Sequence, residues 1–382
     1  MAAQLKRTWA EIDFDNLKHN FDVIRRRVGP DAKLLGVVKA DAYGHGAVRV
    51  AKKLAELGAA YLAVSNIEEA AELREGGVTL PILTLGYTPA DQGERIVRLG
   101  ITQTVSDLAT ACAYDAAAAR LGERMTVHIK LDTGMGRLGF QCDESHFDAS
   151  LREILEVLKL RHLDVEGVFT HFAVSDEDAP DCAAFTKTQH ERFVQMIGAV
   201  ERASDFRFRL HHCCNAGGIA SYPEWAWDMV RCGILLYGTG ELAGRLGMRP
   251  VMRLKTVVST IKEFDAGMPV SYGRTYYTSR PSRIAVLPIG YADGLHRALS
   301  GKLSVRTPCG DAPQVGRICM DMCMIDGTDL PDLKGGDEIE VYGEHALCAT
   351  AAELAGTIPY ELLCAVSKRV PRVYYEGGKE ID

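Results

Sequence analysis

A single lysine ends an apolar run in the stretch VVKADAYGHGA, residues 37–47. Tyr43 follows Lys39 by four positions and stands among glycines, which let a backbone approach a ligand closely. An amine delivered to the end of a buried strand can condense with an aldehyde. The alternative interpretation is an ordinary solvated lysine at a strand terminus, and the rest of the chain decides between the two.

Other cationic and polar side chains stand where further predicted strands end. They are Lys130 with Arg137, His171, Asn215 and Arg231. In a closed (β/α)8 barrel the C-terminal ends of all strands meet at one face, where the active site lies. A face that gathers these residues with Lys39 predicts a ligand carrying phosphate or carboxylate.

Two other motifs resemble a nucleotide site and a metal site, but their surroundings in the sequence do not support either. GMGRLG, residues 134–139, matches a dinucleotide fingerprint, but no helical pattern follows it until about Phe147. A nucleotide site needs a helix to open there. HHCCN, residues 211–215, holds metal-ligand residue types, yet neighbours along a strand point to opposite faces. We therefore predict neither a nucleotide nor a metal.

The elements that would position these residues alternate along the first ~240 residues. Apolar strand candidates lie at 34–40, 61–65, 81–86, 102–106, 125–132, 165–173, 208–213 and 227–238, with helical patterns between most of them, for example at 45–58, 67–77 and 151–160. Eight strands with intervening helices predict an α/β fold with an N-terminal (β/α)8 TIM-like barrel. An open doubly wound sheet is the alternative.

The pattern of the sequence changes after about residue 245. Short β-like segments such as RLKTVVSTIKEF, RIAVLPIGYA, KLSVRTP and DEIEVYG are separated by Gly, Pro and Asp turns. We predict a barrel over residues 1–244 and a C-terminal mainly β domain over residues 245–382. The first ~10 residues are expected to pair with the C-terminal domain.

Charge and composition exclude several classes of function. The formal net charge is −7, which argues against a nucleic-acid partner. The polar N-terminus MAAQLKRTWAEID has no apolar signal core, and no run reaches the length of a membrane span. A cytoplasmic protein without a membrane partner is expected. The 11 cysteines form no CxxC pair, which predicts free thiols.

Several long motifs resemble the alanine racemases, in the same order and over essentially the whole chain. They are VVKADAYGHG, HIKLDTGMGRLGF, CNAGG, DMVRCGILLYG, VSYGRTY, PIGYADG, VGRICMDM and PYELLCAVSKRVPRVY. The resemblance implies a barrel plus β domain, pyridoxal 5′-phosphate as cofactor, and a head-to-tail homodimer. Each active site would combine one subunit's barrel with the other's C-terminal domain.

The resemblance also implies roles for individual residues. Lys39 would carry the cofactor and act as the base on the D-enantiomer, and Tyr272 of the partner subunit would act on the L-enantiomer. Arg231 would face the pyridine nitrogen. The cofactor-binding set that the resemblance implies is Lys39, Tyr43, His171, Asn215, Ala216, Arg231, Gly233, Ile234 and Tyr360.

Substrate binding is expected from three further residues. Arg137 and the backbone of Met320 match the groups that receive the substrate carboxylate, and Tyr291 helps to shape the entrance. Lys130 matches a lysine that is carbamylated in many members. A tyrosine has a pKa of about 10, so Tyr272 needs cationic neighbours to act as a base, and His171 and Arg231 are the candidates. One departure is Ala216, where the family usually has serine; cofactor affinity is expected to be somewhat lower.

The implied function is interconversion of L-alanine and D-alanine, which supplies D-alanine for peptidoglycan. A serine or broad-specificity racemase of the same family is the main alternative; the bulky Tyr360 and Tyr291 favour alanine. Barrel decarboxylases of basic amino acids need a carboxylate opposite the pyridine nitrogen, which Arg231 argues against. The barrel-only pyridoxal-phosphate homeostasis proteins lack a β domain carrying Tyr272 and Met320.

Overall fold

The computed structural model describes residues 7–381. By its internal contacts the chain forms two units. The barrel unit comprises Phe21–Ala42 and Ala47–Leu235. Among the described residues, the β-rich unit comprises residues 7–20, Tyr43–Gly46 and residues 236–381. Because the units interleave along the sequence, the predicted boundary between residues 244 and 245 stays a prediction.

The first strand and first helix are β1 (Thr8–Asp13) and α1 (Phe14–Val28). Eight parallel strands then build the barrel unit in the order β10-β2-β3-β4-β5-β6-β8-β9. Their bounds are β2 Lys33–Val37, β3 Tyr61–Val64, β4 Ile82–Thr84, β5 Thr102–Val105, β6 Met125–Asp132, β8 Leu163–Phe169, β9 Leu210–His212 and β10 Met229–Cys232; β7 (Phe140–Gln141) pairs with β6 outside this path. The Arg231 N–H donates to the Cys214 carbonyl (3.0 Å), bringing the two ends of the sheet together. The predicted barrel is thus confirmed as a nearly closed one.

Helices connect the barrel strands, as the alternating pattern predicted. They are α2 Lys39–Gly44, α3 Ala47–Glu56, α4 Ile67–Glu75, α5 Gly93–Arg98, α6 Leu108–Leu121, α7 Phe147–Val157, α8 Pro180–Ala203 and α9 Ala216–Ser221, with 3₁₀ turns at Ala90–Gln92 and Pro223–Trp225. Side-chain caps fix where some of them begin. The Asp107 carboxylate accepts the Thr110 N–H at the start of α6, and Gly122 ends that helix in the left-handed conformation.

The predicted strand over 227–238 is wrong in its second half. β10 ends at Cys232, and Ile234–Tyr237 forms the short helix α10. The run ILLY is buried on all sides, so it has no polar face that would distinguish a strand from a helix by periodicity.

The β-rich unit contains a ten-stranded sheet in the order β12-β15-β18-β17-β16-β19-β11-β1-β20-β21, and a separate pair β13-β14. The new strands are β11 Met252–Val257, β12 Thr260–Phe264, β13 Pro269–Val270, β14 Tyr276–Tyr277, β15 Ser282–Leu287, β16 Ser304–Thr307, β17 Gly310–Val315, β18 Cys323–Asp326, β19 Glu338–Tyr342, β20 Arg372–Glu376 and β21 Lys379–Ile381. β1 pairs antiparallel with β11 and parallel with β20. The N-terminal strand is therefore part of this sheet.

The β-rich unit also contains helices that the sequence pattern did not predict. They are α11 Glu241–Arg245, α12 Cys348–Ala355 and α13 Pro359–Ala365, with 3₁₀ turns at Tyr272–Arg274, Tyr291–Asp293 and Arg297–Leu299. Over the described part of the chain, no helix combines the length and the apolar character that crossing a bilayer requires.

Candidate functional site

Lys39 begins a helical turn of unusual hand. Ala40–Tyr43 all have φ between 52° and 54°, so α2 is left-handed although none of these four residues is glycine. Left-handed helical backbone costs about 1–2 kcal/mol for each L-residue. Glu69 helps to hold the turn, because its carboxylate accepts the N–H groups of Ala40 (2.7 Å) and Ser65 (2.6 Å). Backbone strain held in this way clusters at functional sites.

Lys130, on β6, is a buried lysine among cations. Lys130 is 4% exposed. The pKa of its amine is lowered to about 8, mainly by burial and then by the charges of Arg137, Arg231 and Lys39, with Asp132 acting in the opposite direction. About a tenth of this amine is therefore uncharged at pH 7, far more than for an exposed lysine.

Asp132 organises the loop that carries Arg137. Its carboxylate accepts the backbone N–H groups of Gly134 (3.0 Å), Gly136 (3.0 Å) and Arg137 (2.9 Å). The loop leads into β7, and the next helix begins only at Phe147. The arrangement presents an exposed arginine rather than a helix N-terminus for a nucleotide.

Arg231 is the most completely enclosed cation of the site. Its NH1 group donates to His212 Nδ1 (3.1 Å) and to the His212 carbonyl (2.8 Å), and NH2 donates to the carbonyls of Thr170 (2.7 Å) and Cys213 (2.9 Å). Among residues 7–381, neither a hydrogen-bond partner for Nε nor a carboxylate at ion-pair distance is found. Burial lowers the Arg231 pKa to about 10, so the guanidinium stays charged at neutral pH with one N–H open to a ligand.

His171 lies beside this guanidinium, with Nδ1 3.4 Å from NH2 of Arg231. Burial first, and then the nearby cations, hold the pKa of His171 well below its usual value. The lowered pKa favours the neutral imidazole at physiological pH, so of the two expected cations Arg231 is the one that stays charged. The positive charge of this part of the site belongs to Arg231.

Asn215 caps the short helix α9. Its side-chain oxygen accepts the Gly218 N–H (3.0 Å) and the Ser175 hydroxyl (2.9 Å), and its amide donates to the Phe172 carbonyl (3.1 Å). Within the described chain, the N–H groups of Ala216 and Gly217 have no acceptor. A Cβ on Gly217 would come within 2.5 Å of the Ser175 hydroxyl, so the turn requires glycine at that position. These N–H groups are available to an anion.

The turn after β10 is the other backbone element of the barrel unit expected to bind phosphate. Gly233 joins β10 to α10, and Ile234 is the first residue of α10. Ile234 as a whole is 3% exposed, and its side chain carries no polar group. Only the backbone of these two residues can therefore face a ligand.

In the β-rich unit, Tyr43 and Tyr360 lie close together. Their ring centroids are 6.0 Å apart, and Tyr43 also contacts Tyr237 at 4.7 Å. Burial, with smaller contributions from Tyr360 and Cys364, raises the pKa of Tyr43 above its usual range. Its hydroxyl therefore remains a hydrogen-bond donor at neutral pH.

The remaining expected residues of the β-rich unit lie on exposed loops. Tyr272, Tyr291 and Met320 are 70%, 44% and 54% exposed. The Tyr291 N–H donates to the Cys319 carbonyl, next to Met320 (3.0 Å). The Ser271 hydroxyl donates to the Arg317 carbonyl (2.6 Å), which joins the Tyr272 loop to the same segment. Three motifs separated in sequence thus contribute to one region of this unit.

A polar network inside the barrel unit, formed by His128, Glu166 and His212, was not predicted from the sequence. Its only sequence signal was the HH pair, since alternation turns one histidine inward. His212 is fully buried, whereas His211 is partly exposed and contacts Asp228 (2.7 Å).

A parallel barrel with buried cations at the C-terminal ends of its strands places this chain among barrel proteins that bind small anionic ligands at that face. Comparison with known proteins identifies the family. Family models described as "Alanine racemase, N-terminal domain" and "Alanine racemase, C-terminal domain" match residues 12–241 and 251–374. The chain belongs to the alanine racemase family, whose members are pyridoxal-phosphate-dependent racemases.

Individual relatives agree with this assignment. "Alanine racemase 2" of Caldanaerobacter subterraneus subsp. tengcongensis is 43% identical, over 100% of this chain and 98% of the relative. The structure of alanine racemase from Clostridium difficile 630 superposes with a TM-score of 0.92 at 42% identity, covering 98% of this chain and 97% of that one. The alanine racemase of Bartonella henselae, solved with covalently bound pyridoxal phosphate, superposes with a TM-score of 0.85 at 28% identity, covering 97% and 99%.

Proposed function

We propose that this chain is an enzyme that interconverts L-alanine and D-alanine with pyridoxal 5′-phosphate as its cofactor. The observation that carries the proposal is the buried guanidinium of Arg231, fully engaged at NH1 and NH2 but open at Nε. In a member of this family, that geometry is suited to a ring nitrogen that accepts a hydrogen bond.

The residues present fit the cofactor. Lys39 offers an amine for its aldehyde. The free N–H groups of Ala216 and Gly217, with the backbone of Gly233 and Ile234, offer donors for its phosphate. Tyr43 and Tyr360 of the β-rich unit are proposed as further phosphate ligands. When bound, the cofactor supplies a conjugated ring that withdraws electron density from the substrate α-carbon.

Inversion of a stereocentre needs one proton-transfer group on each face of the α-carbon. We assign Lys39 to the face of D-alanine and Tyr272 of the partner subunit to the face of L-alanine. The 70% exposure of Tyr272 in a single chain supports its use across a homodimer interface. The charge of Arg231 favours the ionised form of a nearby tyrosine. The homodimer and the cytoplasmic location stay predictions.

Substrate binding follows from the charged loop residues. Arg137 is proposed to receive the substrate carboxylate together with the backbone of Met320, and Tyr291 to border the entrance. Carbamylation of Lys130 would turn a like-charge neighbour of Arg137 into an anionic partner that fixes the guanidinium. A serine or broad-specificity racemase remains the second candidate, and assays on L-alanine and L-serine in parallel distinguish the two.

Hydrogen exchange in deuterated solvent tests the assignment of the two bases. The Tyr272→Phe protein should still exchange the α-hydrogen of D-alanine, because Lys39 remains. Exchange from L-alanine should fall ~10²–10⁴-fold, the usual cost of losing one positioned base. Tyr277→Phe, which alters another exposed tyrosine, is the matched control. Equal exchange from both enantiomers in Tyr272→Phe would mean that a single group serves both faces.

A further inference from the structure

Two buried imidazoles connect Arg231 to a carboxylate inside the barrel unit. His212 Nδ1 lies 3.1 Å from NH1 of Arg231, and His212 Nε2 lies 3.0 Å from His128 Nδ1. His128 Nε2 lies 3.0 Å from the Glu166 carboxylate. The four side chains come from β10, β9, β6 and β8. They form an unbroken hydrogen-bonded path, which we call the Arg231–Glu166 relay.

The direction of every bond in this relay is fixed by its ends. An arginine can only donate, so Nδ1 of His212 is the bare acceptor nitrogen. A neutral imidazole then carries its proton on Nε2, which donates to Nδ1 of His128. By the same logic Nε2 of His128 is protonated and donates to Glu166. An imidazolium at His128 would reverse its bond to His212 and leave Arg231 facing an N–H.

The charges agree with this direction. Burial lowers the pKa of His128, and it holds that of His212 well below its usual value. The hydrogen bond from His128 is the largest cause of the lowered pKa of Glu166, whose carboxylate also accepts the Tyr61 hydroxyl (2.7 Å). These shifts favour neutral rings beside an ionised Glu166, and no carboxylate among the described residues lies at ion-pair distance from Arg231.

Three features of the packing accommodate the side chains of the relay. A Cβ on Gly167 would lie 2.8 Å from the His128 ring, so this glycine makes room for the imidazole. The register between β6 and β8 shifts between Val127 and His128, leaving Glu166 as the extra residue of a bulge. Bulges re-aim side chains in this way. The His212 ring stacks on Phe169, with centroids 4.8 Å apart and planes within 5°.

We propose that Glu166, His128 and His212 are positioning residues that orient the guanidinium of Arg231 through a one-way relay of two neutral, Nε2-protonated imidazoles. Glu166 supplies the negative end of the relay at a distance from the ligand face. Because this negative charge is remote, the positive charge of Arg231 remains available to the ligand that contacts Nε. The consequence for the cofactor rests on the proposed function, whereas the relay itself does not.

Nitrogen NMR of the apoprotein labelled with ¹⁵N-histidine tests the relay directly. The variants His128→Gln and His212→Gln each remove one resonance set and so assign the two rings among the 11 histidines. Both rings should be neutral with the proton on Nε2 at pH 7. An imidazolium, or a proton on Nδ1 of either ring at pH 7, would overturn the proposal.

Cofactor affinity provides a second readout. Pyridoxal 5′-phosphate titrated into apoprotein should bind Glu166→Gln about tenfold more weakly than the original chain, in the range typical of lost outer-shell partners. Tyr61→Phe keeps the carboxylate and the relay, and it is the matched control. Equal losses in both variants would overturn the proposal. If the original apoprotein bound no cofactor, the proposed function would fail, while the NMR result would still decide the relay.

Discussion

Replacing Lys130 with methionine tests the electrostatic description of the barrel unit. Lys130 is 4% exposed, has no carboxylate at ion-pair distance among the described residues and lies among Arg137, Arg231 and Lys39. Methionine has a similar length and no charge. We expect Lys130→Met to be more stable than the original chain at pH 7 in buffer free of bicarbonate.

The magnitude follows from the two pKa values of Lys130. The amine has a pKa of about 8 in the folded chain against 10.5 for an unperturbed lysine, and this difference corresponds to about 3 kcal/mol at about 1.4 kcal/mol per pKa unit. Below pH 8 both folded and unfolded chains carry the proton, and the full cost is present. Loss of the contact between Nζ and the Phe169 ring (5.5 Å) offsets part of the gain. The expected net stabilisation is ~2–3 kcal/mol.

The sign of the pH dependence provides the sharper check. Between pH 8 and 10.5 the unfolded state holds the extra proton, so the stability of the original chain should rise with pH across this window relative to Lys130→Met. Urea unfolding from pH 7 to 10 measures the difference. Lys52→Met, which removes the charge of an exposed lysine, is the matched control. A constant difference between the original chain and Lys130→Met would refute the reasoning.

Three further predictions concern the proposed site. With ¹³C-bicarbonate, a carbamate signal should appear in the original chain and be absent in Lys130→Met, because about a tenth of an amine with a pKa of about 8 is uncharged at pH 7; a signal in both would place the modification elsewhere. Lys39→Ala and Tyr272→Phe, each inactive alone, should recover activity after verified subunit exchange; no recovery would contradict a shared site. Ala216→Ser should tighten cofactor binding about fivefold in an apoprotein titration, the value of one added hydrogen bond, and unchanged affinity would exclude a role for the hydroxyl.

The sequence determined the fold to a large extent. Apolar strands alternating with amphipathic helices predicted the eight-stranded barrel, because each strand buried on both faces reads as a continuous apolar run. The same rule failed at 227–238, where an apolar run continues past β10 into the helix α10. It also missed α12, whose alanine-rich sequence packs within a mainly β unit.

The sequence also indicated which chemical groups form the candidate site, because Lys39, Arg231 and Tyr272 stand in recognisable motifs. Only the tertiary structure determined the pKa values of the charged groups and the backbone conformation around them. The pKa of Lys130 depends on burial and on three cations from other segments. The left-handed turn after Lys39 is held in part by Glu69, 29 residues away from Ala40.

The Arg231–Glu166 relay shows most clearly the difference between what the sequence indicates and what only the folded structure establishes. Nothing in the sequence distinguishes Glu166 from any other glutamate, and alternation alone would not orient it. A one-residue bulge and a glycine beside His128 bring its carboxylate to the imidazole. Hydrogen bonds form over about 3 Å, so their partners are chosen by distances between strands that only the folded barrel establishes.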